Sequence, residues 1–123
     1  MALILVAEDT VELAEMLQSI LQSRGHQVAV AYDGVQMIEK AKNINPKLII
    51  SDIMMPGAYG SSAYKSLQGD RYTQDIPVIF LTALAPEQAA KVVPVSDKVS
   101  ILHKPVDVGG LLAAVEHFLP KPS

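Results

Sequence analysis

Cysteine and tryptophan are both absent from this chain of 123 residues. Without cysteine there is no disulfide scaffold, no thiol nucleophile and no thiolate metal site. The absence fits a reducing compartment and many bacterial secreted proteins alike, so it excludes chemistry without assigning a place. Charge is scarce as well: 19% of the residues are charged, ten basic against thirteen acidic, for a net charge of -3. That balance gives nucleic acid no electrostatic track and does not mark an acidic disordered chain. Long apolar runs are also missing. The opening run from Leu3 to Ala7 has no basic segment before it and stops at Glu8 and Asp9, too soon for a signal peptide or a membrane span. The later apolar stretches around Ile50 and Ile79 are interrupted or too short. The expectation is a soluble, cytoplasmic protein. Neither a Gly-rich loop ending in Lys-Ser or Lys-Thr nor Gly-x-Gly-x-x-Gly occurs, which argues against a resident nucleotide or dinucleotide.

What is present is a chain 50% apolar, of a size for one domain and with enough apolar surface for a real core. Leu3 to Ala7 is continuously apolar, as a strand covered on both faces should be. From Glu12 to Arg24 the residues Leu13, Met16, Leu17, Ile20 and Leu21 recur at helical spacing, and Gly25 supplies the stop. His26 to Ala31 reads as a second strand. Asp33-Gly34 is a turn into a helix through about Asn43 with Val35, Ile38 and Ala41 toward the core, broken by Asn45-Pro46. Leu48 to Ile50 form a third strand ending at Ser51-Asp52; Pro56, Gly57 and Gly60 make a loop before a helix from Ser61 to Gln68. Ile76 to Leu81 is a fourth strand, with Pro77 tolerable at its entrance. Pro86 opens a helix through Val92 that Pro94 ends. Val99 to Leu102 is the fifth strand, and Asp107 caps a last helix whose face holds Val108, Leu111, Leu112, Val115 and Leu119. Five strands alternating with five helices imply an α/β fold with a mostly parallel sheet. No repeat, linker or low-complexity tract interrupts it.

Parallel sheets carry their functional groups at the carboxyl ends of the strands. There the sequence places Glu8-Asp9, Asp52, Thr82, and His103 followed by Lys104-Pro105. Three carboxylates gathered at one rim repel one another, and a hard, oxygen-only site of that kind suits magnesium. Asp9 would bind the ion directly, Glu8 through water, and the backbone carbonyl of Met54 would complete the protein's share. Asp52 could then attack phosphorus to form an acyl phosphate while Lys104 neutralises the transferring oxygens and Thr82 donates a hydrogen bond to one of them.

This ordered set, Glu8-Asp9, Asp52 followed by Met55-Pro56 and Gly60, Thr82-Ala83 and Lys104-Pro105, closely resembles the receiver domain of bacterial two-component response regulators. Spacings of 43 residues from Asp9 to Asp52, 30 from Asp52 to Thr82 and 22 from Thr82 to Lys104 look like that family, and the resemblance covers nearly the whole chain. It implies a flavodoxin-like, doubly wound, five-stranded parallel sheet of order 2-1-3-4-5, with a receiver domain over residues 1–120 and a tail at 121–123. It implies phosphotransfer from a histidine kinase or histidine phosphotransfer protein to Asp52, dependent on Mg2+ or in its place Mn2+. Slow hydrolysis would follow, with a cis Lys104-Pro105 bond aiming the lysine inward. Such a domain is at most a self-catalysed phosphotransfer and acyl-phosphate hydrolysis unit. Its partners would be a downstream protein target or an output domain, without direct nucleic-acid or membrane contact; a homodimer stays open. Met54 and Leu84, two positions beyond Asp52 and Thr82, flank the pocket in the family and tune hydrolysis.

Three departures concern output. Ile101 stands where the family has an aromatic whose rotation accompanies movement of the Thr. The stretch from Val93 to Ser100 is irregular where a fourth helix is usual, and Tyr59 takes the place of a common Asp before Gly60. Ile101 and the irregular Val93 to Ser100 stretch support a competing reading, a degenerate pseudo-receiver that serves as a phosphorylation-independent binding or dimerisation module. A third reading, a small phosphohydrolase with Asp52 as nucleophile, lacks a second acid two residues on, where Met54 stands. Taken singly, each site residue also has an ordinary explanation: Glu8 and Asp9 as a solvated strand end or helix cap, Thr82 as a strand-end hydroxyl, His103 as a partly exposed side chain, Met54 and Met55 as packing, and Tyr59 and Tyr64 as loop packing or a partner contact.

Overall fold

The computed structural model describes residues 2–53, 60–93 and 96–119, and among these the side chains of 60–63 and 92 are left aside. Met54, Met55, Pro56, Gly57, Tyr59, Pro94 and the tail at 121–123 therefore lie outside the described residues. In chain order the elements are β1 (Leu3–Ala7), α1 (Val11–Ser23), β2 (Gln27–Ala31), α2 (Gly34–Ile44), β3 (Leu48–Asp52), α3 (Gly60–Gln68), β4 (Val78–Thr82), α4 (Pro86–Val92), β5 (Val99–His103) and α5 (Val108–Phe118). The five strands form one sheet of order β2-β1-β3-β4-β5, every pairing parallel. This is the α/β, doubly wound, flavodoxin-like fold expected from the sequence.

The continuous apolar runs have a direct cause. Strand side chains alternate between the two faces, and here each face is covered. Leu5, Ala7, Ile49, Val78 and Phe80 pack with Met37 and Ala41 of α2, Tyr64 and Leu67 of α3 and Ala89 of α4. Ile4, Val6, Leu48, Ile50, Ile79 and Leu81 pack with Leu17 and Leu21 of α1 and Leu111 and Val115 of α5. The central strands β3 and β4 are buried along their whole length, whereas the edge strands β2 and β5 are mostly half-buried. At the β2 edge the Lys40 ammonium donates to the Val30 carbonyl, which occupies an acceptor that would otherwise face another strand.

Local signals set the element ends. Asp33 caps α2 by accepting from the Gln36 N–H at 2.8 Å, and Asp107 caps α5 by accepting from the Gly110 N–H at 2.8 Å. Gly25, with φ of 90°, turns the chain between α1 and β2, and Asn45, with φ of 48°, does so after α2; glycine and asparagine are the residues that tolerate this left-handed region.

Three helix residues expected to face the core do not. Met16, Val35 and Val108 are 41%, 50% and 45% exposed. The buried stripes instead run through Ala14 in α1 and Met37 in α2. A helix of this length has several apolar residues near the boundary of its buried face, and hydrophobicity alone does not say which side of that boundary each takes. Tyr64 lies on α3, not in a loop; it is 5% exposed and meets the Phe80 ring edge-on at 5.6 Å.

Candidate functional site

In a sheet of this order the connections reverse direction between β1 and β3, which leaves a crevice at the carboxyl ends of those strands. Ala7 of β1 lies in register with Ser51 of β3, so the residues that follow, Glu8 and Asp52, stand side by side at its mouth. Thr82 closes β4 one strand further on, opposite His103 of β5, and the Lys104 N–H donates to the Thr82 carbonyl at 2.7 Å. That bond holds Lys104 at the sheet end, and the Lys104-Pro105 peptide that follows is cis. Side-chain alternation sends His103 outward, where it is exposed.

The Lys104 ammonium donates to Glu8 Oε1 at 3.0 Å and to Asp52 Oδ2 at 2.9 Å. Side-chain exposure is 0% for Glu8, 10% for Asp52 and 24% for Lys104. The Thr10 N–H donates to the second Glu8 oxygen, Oε2, at 2.9 Å. Burial raises the Glu8 pKa, the bonds from Thr10 and Lys104 work the other way, and the neighbouring Asp9 and Asp52 raise it again, leaving it above its ordinary value. For Lys104 burial acts to lower the pKa, but hydrogen bonds to Asp52 and Glu8 and their charges outweigh it and hold the ammonium above its usual range. The cation is therefore firmly protonated at neutral pH.

One carboxylate oxygen from each of Glu8, Asp9 and Asp52 lies within 4.8 Å of the other two. Glu8 and Asp52 are buried and Asp9 is exposed at the rim. Three carboxylates with no nitrogen or sulfur among them form a hard donor set, which fits a divalent cation such as magnesium. Thr82, 1% exposed, accepts the Leu84 N–H on its Oγ1 at 2.8 Å, so the turn after β4 holds its hydroxyl in place.

A family model described as the response regulator receiver domain matches residues 4–116. The chain belongs to this family. This receiver domain is 39% identical over 85 residues to hybrid signal transduction histidine kinase D of Dictyostelium discoideum, covering 69% of the chain and 5% of that protein. It is 34% identical over 116 residues to the DNA-binding dual master transcriptional regulator RpaA of Synechocystis, covering 94% of the chain and 48% of RpaA. The chain thus spans no more than half the length of either relative. The chemotaxis response regulator CheY4 of Vibrio cholerae superposes with a TM-score of 0.85 at 29% identity, over 96% of this chain and 98% of that one. The receiver domain carries the acidic phosphoacceptor cluster of two-component signalling, and among its described residues no helix is long and apolar enough to cross a membrane.

The structure brings Glu8, Asp9, Asp52, Thr82 and Lys104 to one rim and leaves His103 facing outward. Leu84 is half-buried beside Thr82; Met54 lies outside the described residues. Sequence reasoning missed the Glu8–Lys104 bond, for which chain order contains no signal because the partners are 96 residues apart. Ser51 was not singled out either. It is buried, donates to the Asp52 carbonyl at 2.9 Å and lies 3.4 Å from Met37 Sδ, on the face of the sheet that carries α2.

Proposed function

We propose that this receiver domain accepts a phosphoryl group on Asp52 from a histidine kinase or histidine phosphotransfer protein and signals through protein contacts, with residues 1–120 acting as the receiver and 121–123 as a tail. The reading rests chiefly on Asp52 and Lys104 meeting at 2.9 Å beside the cluster of Glu8 and Asp9. An Asp52 oxygen attacks phosphorus, the bond from phosphorus to the donor's imidazole nitrogen breaks, and the electron pair returns to that nitrogen. Lys104 neutralises charge on the transferring oxygens, and the Thr82 hydroxyl, held by Leu84, donates a hydrogen bond to one of them. Asp9 and Asp52, with the Met54 carbonyl, would hold Mg2+ or Mn2+ directly and Glu8 through water; when bound, the ion would supply positive charge to the phosphoryl oxygens.

Loss of the group reverses the acceptance: water attacks phosphorus, the phosphorus–oxygen bond to Asp52 breaks, and the carboxylate and inorganic phosphate are regenerated. Leu84 and Met54 offer no polar group to orient that water, so the acyl phosphate persists for minutes or longer. Substituting Met54→Asn should shorten its lifetime; a wild-type lifetime of seconds, unchanged by the substitution, contradicts this.

Beryllium fluoride with Mg2+ mimics a phosphoryl group on a carboxylate. Added to the protein and followed by amide NMR, it should shift the resonances around Asp52 and from Thr82 to Leu84. Silence at both loops would favour the second reading, a pseudo-receiver binding module, to which Ile101 lends support by standing where the family's switching aromatic is expected.

A further inference from the structure

We propose that Tyr64 relays the state of Asp52 to the exposed turn before β5, through a buried ring packed on Phe80 and a phenol bonded to Ser96; the inference rests on the phosphoacceptor reading of Asp52. Phosphoryl transfer makes no use of this side chain, yet it is 5% exposed and its ring meets Phe80 edge-on at 5.6 Å. Its phenol shares a hydrogen bond with the Ser96 side chain and lies near the Lys98 ammonium. Burial outweighs both and holds the pKa above its ordinary value, so the hydroxyl keeps its proton at neutral pH. Ser96 is fastened in turn. Its Oγ accepts the Lys98 N–H at 3.1 Å, the Lys98 carbonyl accepts the Val78 N–H at 2.9 Å, and the Lys98 ammonium pairs with Asp75 at 2.9 Å. Residues 96–98 are exposed, so one buried phenol on α3 holds a turn that another protein can reach.

The other end of the ring meets the surroundings of the pocket. Phe80 and Thr82 stand two residues apart on β4 and so face the same side of the sheet. Ile53, which follows Asp52, and Leu84, whose N–H is held by Thr82 Oγ1 at 2.8 Å, pack into the same cluster as Tyr64 and Phe80. A Thr82 hydroxyl drawn toward a phosphoryl oxygen takes the Leu84 N–H with it. A close-packed core transmits such a shift to its large rigid members. Ring contacts survive a displacement of about 1 Å, whereas the phenol is then carried out of hydrogen-bonding distance. The bond to Ser96 therefore belongs to the unphosphorylated arrangement, and phosphorylation releases the turn. By linkage, weakening that bond favours the phosphorylated arrangement.

The test titrates beryllium fluoride with Mg2+ into the intact chain and into Tyr64→Phe, Ser96→Ala and the double variant, followed by amide NMR. Tyr72→Phe, at a tyrosine 74% exposed, is the control. In wild type the amides of residues 96–98 should shift together with those around Asp52 and from Thr82 to Leu84. The resonance of isotope-labelled Tyr64 Cζ, assigned by its loss in Tyr64→Phe, should move toward that of Tyr72. In Tyr64→Phe the pocket should still respond while the shifts at 96–98 fall below about half. Beryllium fluoride should bind this variant about fivefold more tightly than wild type, the factor set by one neutral hydrogen bond. Ser96→Ala removes the same bond from an exposed position and should give the same gain, which keeps the test alive if Tyr64→Phe does not fold. The double variant should gain no more than either single one, and Tyr72→Phe should match wild type.

Silence at residues 96–98 in wild type, with the pocket responding, overturns the proposal and leaves the phosphoacceptor reading intact. A full response of the turn in Tyr64→Phe, unchanged or weaker binding in both single variants, or additive gains in the double variant overturn it as well. If the amides around Asp52 and Thr82 are themselves silent in wild type, the phosphoacceptor reading fails and the relay falls with it.

Discussion

Thr82 shows how much one hydroxyl contributes at a strand end. Its oxygen accepts the Leu84 N–H at 2.8 Å in a position 1% exposed, and its O–H is the proposed hydrogen-bond donor to the phosphoryl group. Removing it by Thr82→Ala should cost about 1 kcal/mol of stability in urea unfolding and slow phosphorylation by acetyl phosphate, whereas Thr82→Ser should restore both. An Ala variant that phosphorylates at the wild-type rate would mean that the hydroxyl serves the turn alone. The identity of the rim residues was legible in the sequence because each interrupts an apolar run: Glu8 and Asp9, Asp52, Thr82 and Lys104. The contact between Glu8 and Lys104 was not. Nothing in chain order indicates that Glu8 is fully buried against Lys104 while Asp9 stays exposed, because burial at a strand end depends on what the other strands bring across it.

At the scale of the element, the caps were the clearest signals. Asp107 precedes Val108-Gly109-Gly110, two glycines that weaken a helix start, and its carboxylate accepts the Gly110 N–H. Asp107→Ala should therefore destabilise the protein by about 1 kcal/mol, with exchange protection lost first in α5; equal loss across all elements would assign the effect elsewhere. Helix faces were less legible. Val35 and Met37 are both apolar, yet only Met37 is buried, because the turn that Asp33 caps sets the rotation of α2 and no local pattern specifies it. The aromatic content of the face carrying α2, α3 and α4 was also unexpected. Ile101, which lies across from Phe80 in the β4–β5 pairing, brings no ring, while Tyr64 and Phe80 supply an edge-on pair in the same cluster. Phe80 is fully buried, so Phe80→Ala should cost about 3 to 5 kcal/mol, read from the urea midpoint.

For the molecule as a whole, the alternation of five apolar runs with five helical segments was enough to anticipate a mostly parallel sheet, and the resemblance to the receiver family supplied its doubly wound order. What order does not supply is the environment of a lone titratable group such as His26. Its Nδ1 is buried without a hydrogen-bond partner among the described residues, and burial lowers its pKa from the ordinary 6.5. The unfolded chain therefore takes up a proton near 6.5 while the folded chain resists it, so the His26 contribution to stability is intact above that pH and is lost as pH falls from 6.5 toward the folded value. Comparing urea midpoints at about pH 8 and about pH 5.5, His26→Gln should flatten the decline seen in wild type. Equal declines in the two proteins would place the effect on other groups.

The central claim is that Asp52 is the phosphoacceptor, and intact-mass measurement after incubation with acetyl phosphate and Mg2+ tests it most directly. The account predicts that wild type gains the mass of one phosphoryl group and that Asp52→Asn gains none. Absence of the adduct from wild type at saturating donor, or its persistence in Asp52→Asn, would contradict it.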